Sequence, residues 1–228
     1  MSQPLFDAEA LISMFESATA RQGEQLRNAA SEATLASLRG RELTLKNIRS
    51  ALQAVSEAAS AGAAKNLMAQ AGGLTPESLL DQAVAGMDAA LLQAVEANRT
   101  ALSTLVAQGA DLRDRPLAKA LGDLEKMEDT LFASLKKTAA GAGAPLAGAW
   151  GQVLEKMQAG GTLSGAQSAS TAEQMAEQVQ TAVRSTRAAS MRAAQAMTES
   201  YTAMVSGVLL GMSEALQSNT AAKKTGRK

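Results

Sequence analysis

AGGLTPESLL, residues 71–80, is the stretch on which the fold turns. Gly72 and Gly73 can stop a helix, because glycine enters the left-handed conformation of a C-terminal cap without a Cβ penalty. Thr75 then suits an N-cap, Pro76 the first helical turn and Glu77 the positive end of the helix dipole. The stretch reads as the end of one helix and the start of the next. It therefore predicts a boundary between two long segments whose apolar residues recur at helical spacing.

Upstream of it, Leu5, Ile12, Phe15, Leu26, Leu38, Leu45, Ile48, Leu52, Val55 and Ala59 follow that spacing. Leu38, Leu45, Ile48, Leu52 and Val55 further fit a heptad seam of alternating three- and four-residue steps, with Arg41 as the exception. Gly23 and Gly40 weaken the case for one unbroken helix. Downstream, Leu80, Val84, Met87, Leu91, Ala94, Ala101, Leu102 and Leu105 make an inward stripe to about Gln108. Asn98 falls on that stripe, either as a polar residue that fixes register or as an edge residue that reaches water.

QGADLRDRP (108–116) breaks or kinks the path, since Pro116 lacks a backbone donor and disfavours helix in the residue before it. Leu117, Leu121, Leu124, Leu131 and Leu135 then form the stripe of a third helix. Its other side carries Asp123, Glu125, Lys126, Glu128, Asp129, Lys136 and Lys137 and reads as a solvated face. GAGAPLAGAWGQVLEKMQAGGTLSGAQ (141–167) is glycine-rich at both ends and holds a short amphipathic segment with Leu146, Trp150, Val153, Leu154 and Met157. AGGTLSG reads as a turn, and a long final helix is expected from about Ala166 to Gln217, with Met175, Val179, Met197, Met204, Val208 and Met212 on its thin inward stripe.

The most apolar stretch, MVSGVLLGMSEAL (204–216), includes Met204, Val208, Leu209 and Met212. Its apolar run is roughly ten residues where a bilayer span needs about twenty, so it reads as an interfacial or packing segment and not a transmembrane one. A basic tail follows, with Lys223, Lys224, Arg227 and Lys228. Across the 228 residues 22 basic side chains balance 22 acidic ones, so removing the four tail cations leaves 18 against 22. That balance argues against a surface built to hold nucleic acid, and no specific nucleic acid is expected as a partner.

The chain has no cysteine and no histidine. Disulfides, thiolate nucleophiles, imidazole bases and structural zinc are thereby excluded. Neither glycine-rich stretch is followed by the Lys-Ser or Lys-Thr pair of a phosphate-binding loop. No carboxylate pair sits in a setting that would shift its pKa. The reading is a protein without catalytic residues, metal or cofactor. The amino terminus lacks a signal-peptide pattern, which makes the cytoplasm the expected place.

The blocks ELTLKNIRSALQAVSEAASAGAAKN, AVAGMDAALLQAVEANRTALSTLVAQGADLR, KALGDLEKMEDTLFASLKKTAAGAG and SGVLLGMSEAL together resemble an all-helical proteobacterial family known as a domain of unknown function. That resemblance implies a helical protein and transfers no activity. Alanine-rich amphipathic helices and the phrase VEANRTALSTLV are also similar, mainly in composition, to phasins, which coat polyhydroxyalkanoate granules. This second resemblance implies helices that lay thin apolar stripes on a hydrophobic surface.

The expected architecture is all-α, an elongated helical bundle or coiled coil of about four to five amphipathic helices. It divides into a long N-terminal helix over 1–72, a central helical hairpin over 75–140, a short Trp-containing helix with a long C-terminal helix over 145–217, and a basic tail over 218–228. The expected function is a non-enzymatic scaffold or surface coat, its concrete form a phasin-like homo-oligomer associated with a polyhydroxyalkanoate granule surface. A self-associating coiled-coil adaptor that binds a protein partner is second, and a nucleoid-associated role through the tail is third.

Overall fold

A computed structural model describes residues 6–18, 22–39, 44–69, 74–108 and 115–182, together with Tyr201, residues 204–206 and Val208. The described residues are helical, with no strand among them: α1 (Ala8–Glu16), α2 (Gly23–Leu38), α3 (Leu45–Ala69), α4 (Pro76–Ala107), α5 (Arg115–Glu125), α6 (Met127–Gly141), α7 (Ala144–Gly160) and α8 (Leu163–Ala182). The all-α class holds, with eight helices among the described residues up to Ala182 where four or five were expected for the chain.

The boundary at residues 71–80 behaves as its chemistry requires. Thr75 is the N-cap of α4, its hydroxyl accepting from Ser78 N at 3.3 Å, with Pro76 and Glu77 in the first turn. Asp7 caps α1 in the same way, accepting from Ala10 N at 3.0 Å. Further boundaries lie where longer helices were expected. The segment 1–72 is not one helix, because α1 ends at a Ser17 cap and α2 at Arg39, whose extended backbone (ψ 132°) cannot continue a helix. The third helix divides at Lys126, which sits at φ −92°, ψ 6° between α5 and α6. Pro116 opens a helix, falling in the first turn of α5.

α4 is the interior helix. Leu79, Leu80, Val84, Met87, Leu91, Val95, Leu102 and Leu105 are buried, and with Ala83, Ala90, Ala94, Ala97 and Ala101 they cover more than one of its faces. It packs on α2, α8, α3 and α7. Its approach to α2 depends on Gly86, where a Cβ would run into the Arg27 carbonyl oxygen and come within 2.8 Å of Ala30 Cβ. Gly62 does the same for α3 and α1, since a Cβ there would meet Phe15 Cβ and lie 2.7 Å from the Ile12 carbonyl oxygen.

The partners fix the directions. Gly62 faces Ile12 and Phe15 while Asn66 faces residues 15–18, so α3 runs parallel to α1. Gly23 lies against Gln82 and residues 27–31 against Gly86, which makes α2 and α4 parallel as well. α6 and α7 close the other side of α3, with Trp150 fully buried.

Candidate functional site

Polar side chains inside this helical packing mark the places where distant segments are joined. Asn66 of α3 is 4 % exposed, and its single amide nitrogen donates to the carbonyls of Phe15 (3.2 Å), Glu16 (2.7 Å) and Ala18 (3.2 Å). Phe15 and Glu16 end α1 and Ala18 follows it, so α3 caps the end of α1 from outside. Between α3, α6 and α7 a run of buried hydroxyls does similar work. Trp150 Nε1 donates to Ser60 Oγ at 3.2 Å, Ser60 Oγ donates to the Ser56 carbonyl at 2.8 Å, and Ser56 Oγ lies 2.7 Å from Thr138 Oγ1.

The densest cluster surrounds the N-terminus of α8. Asp88 of α4, 8 % exposed, accepts from Leu163 N at 2.9 Å and Ser164 N at 3.0 Å. Glu128 of α6 accepts from Thr162 N at 3.1 Å and from Thr162 Oγ1 at 2.7 Å, and Thr162 Oγ1 in turn accepts from Gly165 N at 2.9 Å. Two carboxylates from different helices thus satisfy the free N–H groups of a third and face its dipole, the arrangement that suits anions at a helix start. Farther along, Gln167 Nε2 donates to Glu96 Oε2 at 3.1 Å and Arg99 Nη1 to Gln174 Oε1 at 3.3 Å, so α8 runs parallel to α4.

The C-terminal segment returns to the same helix. Tyr201 donates its hydroxyl proton to Oδ1 of Asn98, which is 1 % exposed. Burial pushes the Tyr201 hydroxyl well above its ordinary range, Asp123 nearby adds to the shift, and the Asn98 bond opposes it. Asn98 is therefore an interior residue and not an edge one that reaches water. α8 is described to Ala182, and most of the remainder of the helix expected to reach Gln217 lies outside the described residues.

Of the C-terminal residues singled out in the sequence, Met204 and Val208 are half-buried against the core beside the buried Val205. Leu209, Met212, Lys223, Lys224, Arg227 and Lys228 lie outside the described residues. The heptad seam is not continuous, since Leu38 ends α2 and Leu45 begins α3. Ile48, Leu52 and Val55 are fully buried within the chain and Leu45 is half-buried, so these positions serve intramolecular packing.

The sequence reading missed Asp88, Glu128 and Asn66. Glu128, which the sequence places on a solvated face, turns inward to Thr162 while Glu125, Lys126, Asp129, Lys136 and Lys137 stay exposed. The available signal was Thr162 itself, an N-cap residue type directly after Gly160 and Gly161, where a turn was read.

A shallow cleft of about 350 Å³ lies between the first turn of α4 and α7, lined by Glu77, Ser78, Asp81, Gln152, Val153 and Lys156. Lys156 Nζ and Asp81 Oδ2 pair beside it at 2.8 Å. Among the described residues no group of acidic side chains is placed to hold a metal ion, and no helix is long and apolar enough to cross a membrane.

These features define an all-helical protein whose conspicuous buried polar groups join one helix to another. The chain belongs to the Family of unknown function (DUF6781), whose model matches residues 1–218. No curated protein and no solved structure matches it. None of these comparisons shows a likeness to phasins.

Proposed function

We propose that this protein is a non-enzymatic helical scaffold that coats a hydrophobic surface in the cytoplasm, with a polyhydroxyalkanoate granule as the concrete case. The observation that carries the reading is the make-up of the interior. Ala30, Ala59, Ala90, Ala94, Ala97 and Ala101 take buried places beside Ser56, Ser60, Ser134 and Thr138. Small and hydroxyl side chains remove little apolar area from water per residue, so such a helix bundle holds together loosely. The leucines that line it, among them Leu80, Leu91 and Leu102, would each contribute about 1.5–3 kcal/mol when buried, whether against a neighbouring helix or against a polymer surface. Exchange between the two is therefore nearly balanced, and charged outer faces such as Lys136 and Lys137 would keep the coated surface wet.

The test is fractionation of the tagged protein between granules, membrane and cytosol, together with binding of purified protein to polyester particles over a range of salt. The reading expects granule enrichment. It also expects that deleting residues 223–228 weakens only the salt-sensitive part of binding. Protein found wholly in the cytosol of granule-bearing cells, and indifferent to polyester, would end the proposal. A self-associating adaptor is the second reading. It is favoured by the exposed apolar side chains Met14, Leu67 and Met68, the last 80 % exposed, which could meet a second copy.

A further inference from the structure

α8 is seated unlike the other helices. Among its residues with described side chains, the buried ones are Ser164, Gly165, Ser168 and Thr171, and the three hydroxyls follow the four- and three-residue steps of one helix face. No large apolar side chain of α8 lies buried among them. Ser168 Oγ bonds only its own helix, at the Ser164 carbonyl (2.7 Å), while Ser164 Oγ and Thr171 Oγ1 are buried at 0 % exposure with no partner. Unpaired buried hydroxyls oppose the closed seat, because water would bond them. What holds the described side chains of α8, residues 163–174, is therefore polar: the Asp88 and Glu128 bonds to residues 162–164, and beyond them the Gln167–Glu96 and Gln174–Arg99 pairs.

We propose that α8 is a releasable strap that lifts from α4 as a unit while α1–α4 remain folded, and that the Asp88–Glu128 clasp is its catch. Over residues 163–174 opening costs little apolar burial on the α8 side, returns Ser164 and Thr171 to water, and bares the flank of α4 between Asp88 and Arg99. Its use as a gate to a coated surface rests on the scaffold reading, whereas the opening itself does not.

The experiment is hydrogen exchange on the full-length protein without any surface present. In the wild type the amides of α8 exchange at least about tenfold faster than those of α4, as expected for local opening below the global barrier. Asp88→Asn and, separately, Glu128→Gln each remove a charge-assisted bond and raise α8 exchange about tenfold to a hundredfold while α4 protection stays unchanged. Thr171→Val replaces an unpartnered hydroxyl by a methyl and slows α8 exchange. Should Asp88→Asn fail to fold, Glu128→Gln and Thr171→Val still decide the matter.

The strap is overturned if α8 and α4 exchange together in the wild type, if the clasp variants loosen both helices equally or neither, or if Thr171→Val speeds α8. Exchange confined to α8 in a protein indifferent to polyester keeps the strap and removes the coating. Polyester binding by a protein whose α8 and α4 exchange together does the reverse.

Discussion

Replacing Gly86 by alanine tests the close crossing of α2 and α4, and two opposed effects decide its sign. Alanine improves helix propensity by about 1 kcal/mol over glycine, which alone would stabilise α4. Against that, the new Cβ would overlap the Arg27 carbonyl oxygen and sit 2.8 Å from Ala30 Cβ and 3.1 Å from Ser31 N. Two of these three atoms are backbone, so no side-chain rotation relieves the overlap. The helices must part by about 1 Å to restore carbon–carbon contacts near 3.5–4.0 Å, and gaps of that size forfeit a quarter to a half of each displaced contact.

Overpacking of this kind costs about 1–3 kcal/mol, and a backbone obstacle puts Gly86→Ala at the upper end. The net loss is then about 2 kcal/mol, a fall in Tm of roughly 4–8 °C for a chain of this size. Gly148→Ala in α7 is the control, because that residue is exposed and a Cβ there meets nothing within 4 Å. It should gain about 0.5–1 kcal/mol from propensity alone. Thermal unfolding followed by far-UV circular dichroism reads both variants. If Gly86→Ala matches or exceeds the wild type while Gly148→Ala gives its gain, the helices do not cross where the argument requires.

Other consequences are open to simpler measurements. Asn66→Ala leaves the α1 carbonyls without their shared donor and should cost about 1–3 kcal/mol, with exchange accelerating first in α1; uniform acceleration would show that Asn66 does not cap that helix. Trp150 is fully buried, so its fluorescence should resist acrylamide and shift to the red only on unfolding, and strong quenching in the native protein would contradict the packing of α7 on α3. Tyr201, raised by burial above its ordinary 10.0, should show no tyrosinate absorbance as native protein passes that pH. Because the folded value exceeds the unfolded one, the stabilisation this group gives is complete below pH about 10 and declines above it, and a normal titration would mean that Tyr201 is not docked on Asn98. Leu52→Asp should unfold the chain, not merely dissociate an oligomer, since Leu52 is buried within one protomer; a folded monomer by light scattering would restore the intermolecular seam.

Much of the helical pattern was legible in the residues themselves. The eight inward positions read for α4, from Leu80 to Leu105, are all buried, and Thr75, Pro76 and Glu77 occupy the places their chemistry suited. Leu146, Trp150, Val153 and Met157 likewise face inward. Such features are local: periodicity, capping and the dipole act within a few residues, so the sequence carries them without knowing where the chain goes next.

The joints between helices were settled by tertiary structure alone. Nothing near Glu128 in the sequence marks it apart from Glu125 or Asp129, since its partner Thr162 lies on another segment. The spacing of Asn98 fits two readings, and its burial beneath the Tyr201 hydroxyl decides between them. The heptad steps from Leu38 to Val55 looked continuous because spacing alone does not register the break between α2 and α3. Nothing in the sequence marks Gly62 and Gly86, and only the atoms of the neighbouring helices show that a methyl group there would force helices apart. The physical reason is common to all four: a side chain's own segment determines which way it faces, whereas what it meets depends on how distant segments return beside it.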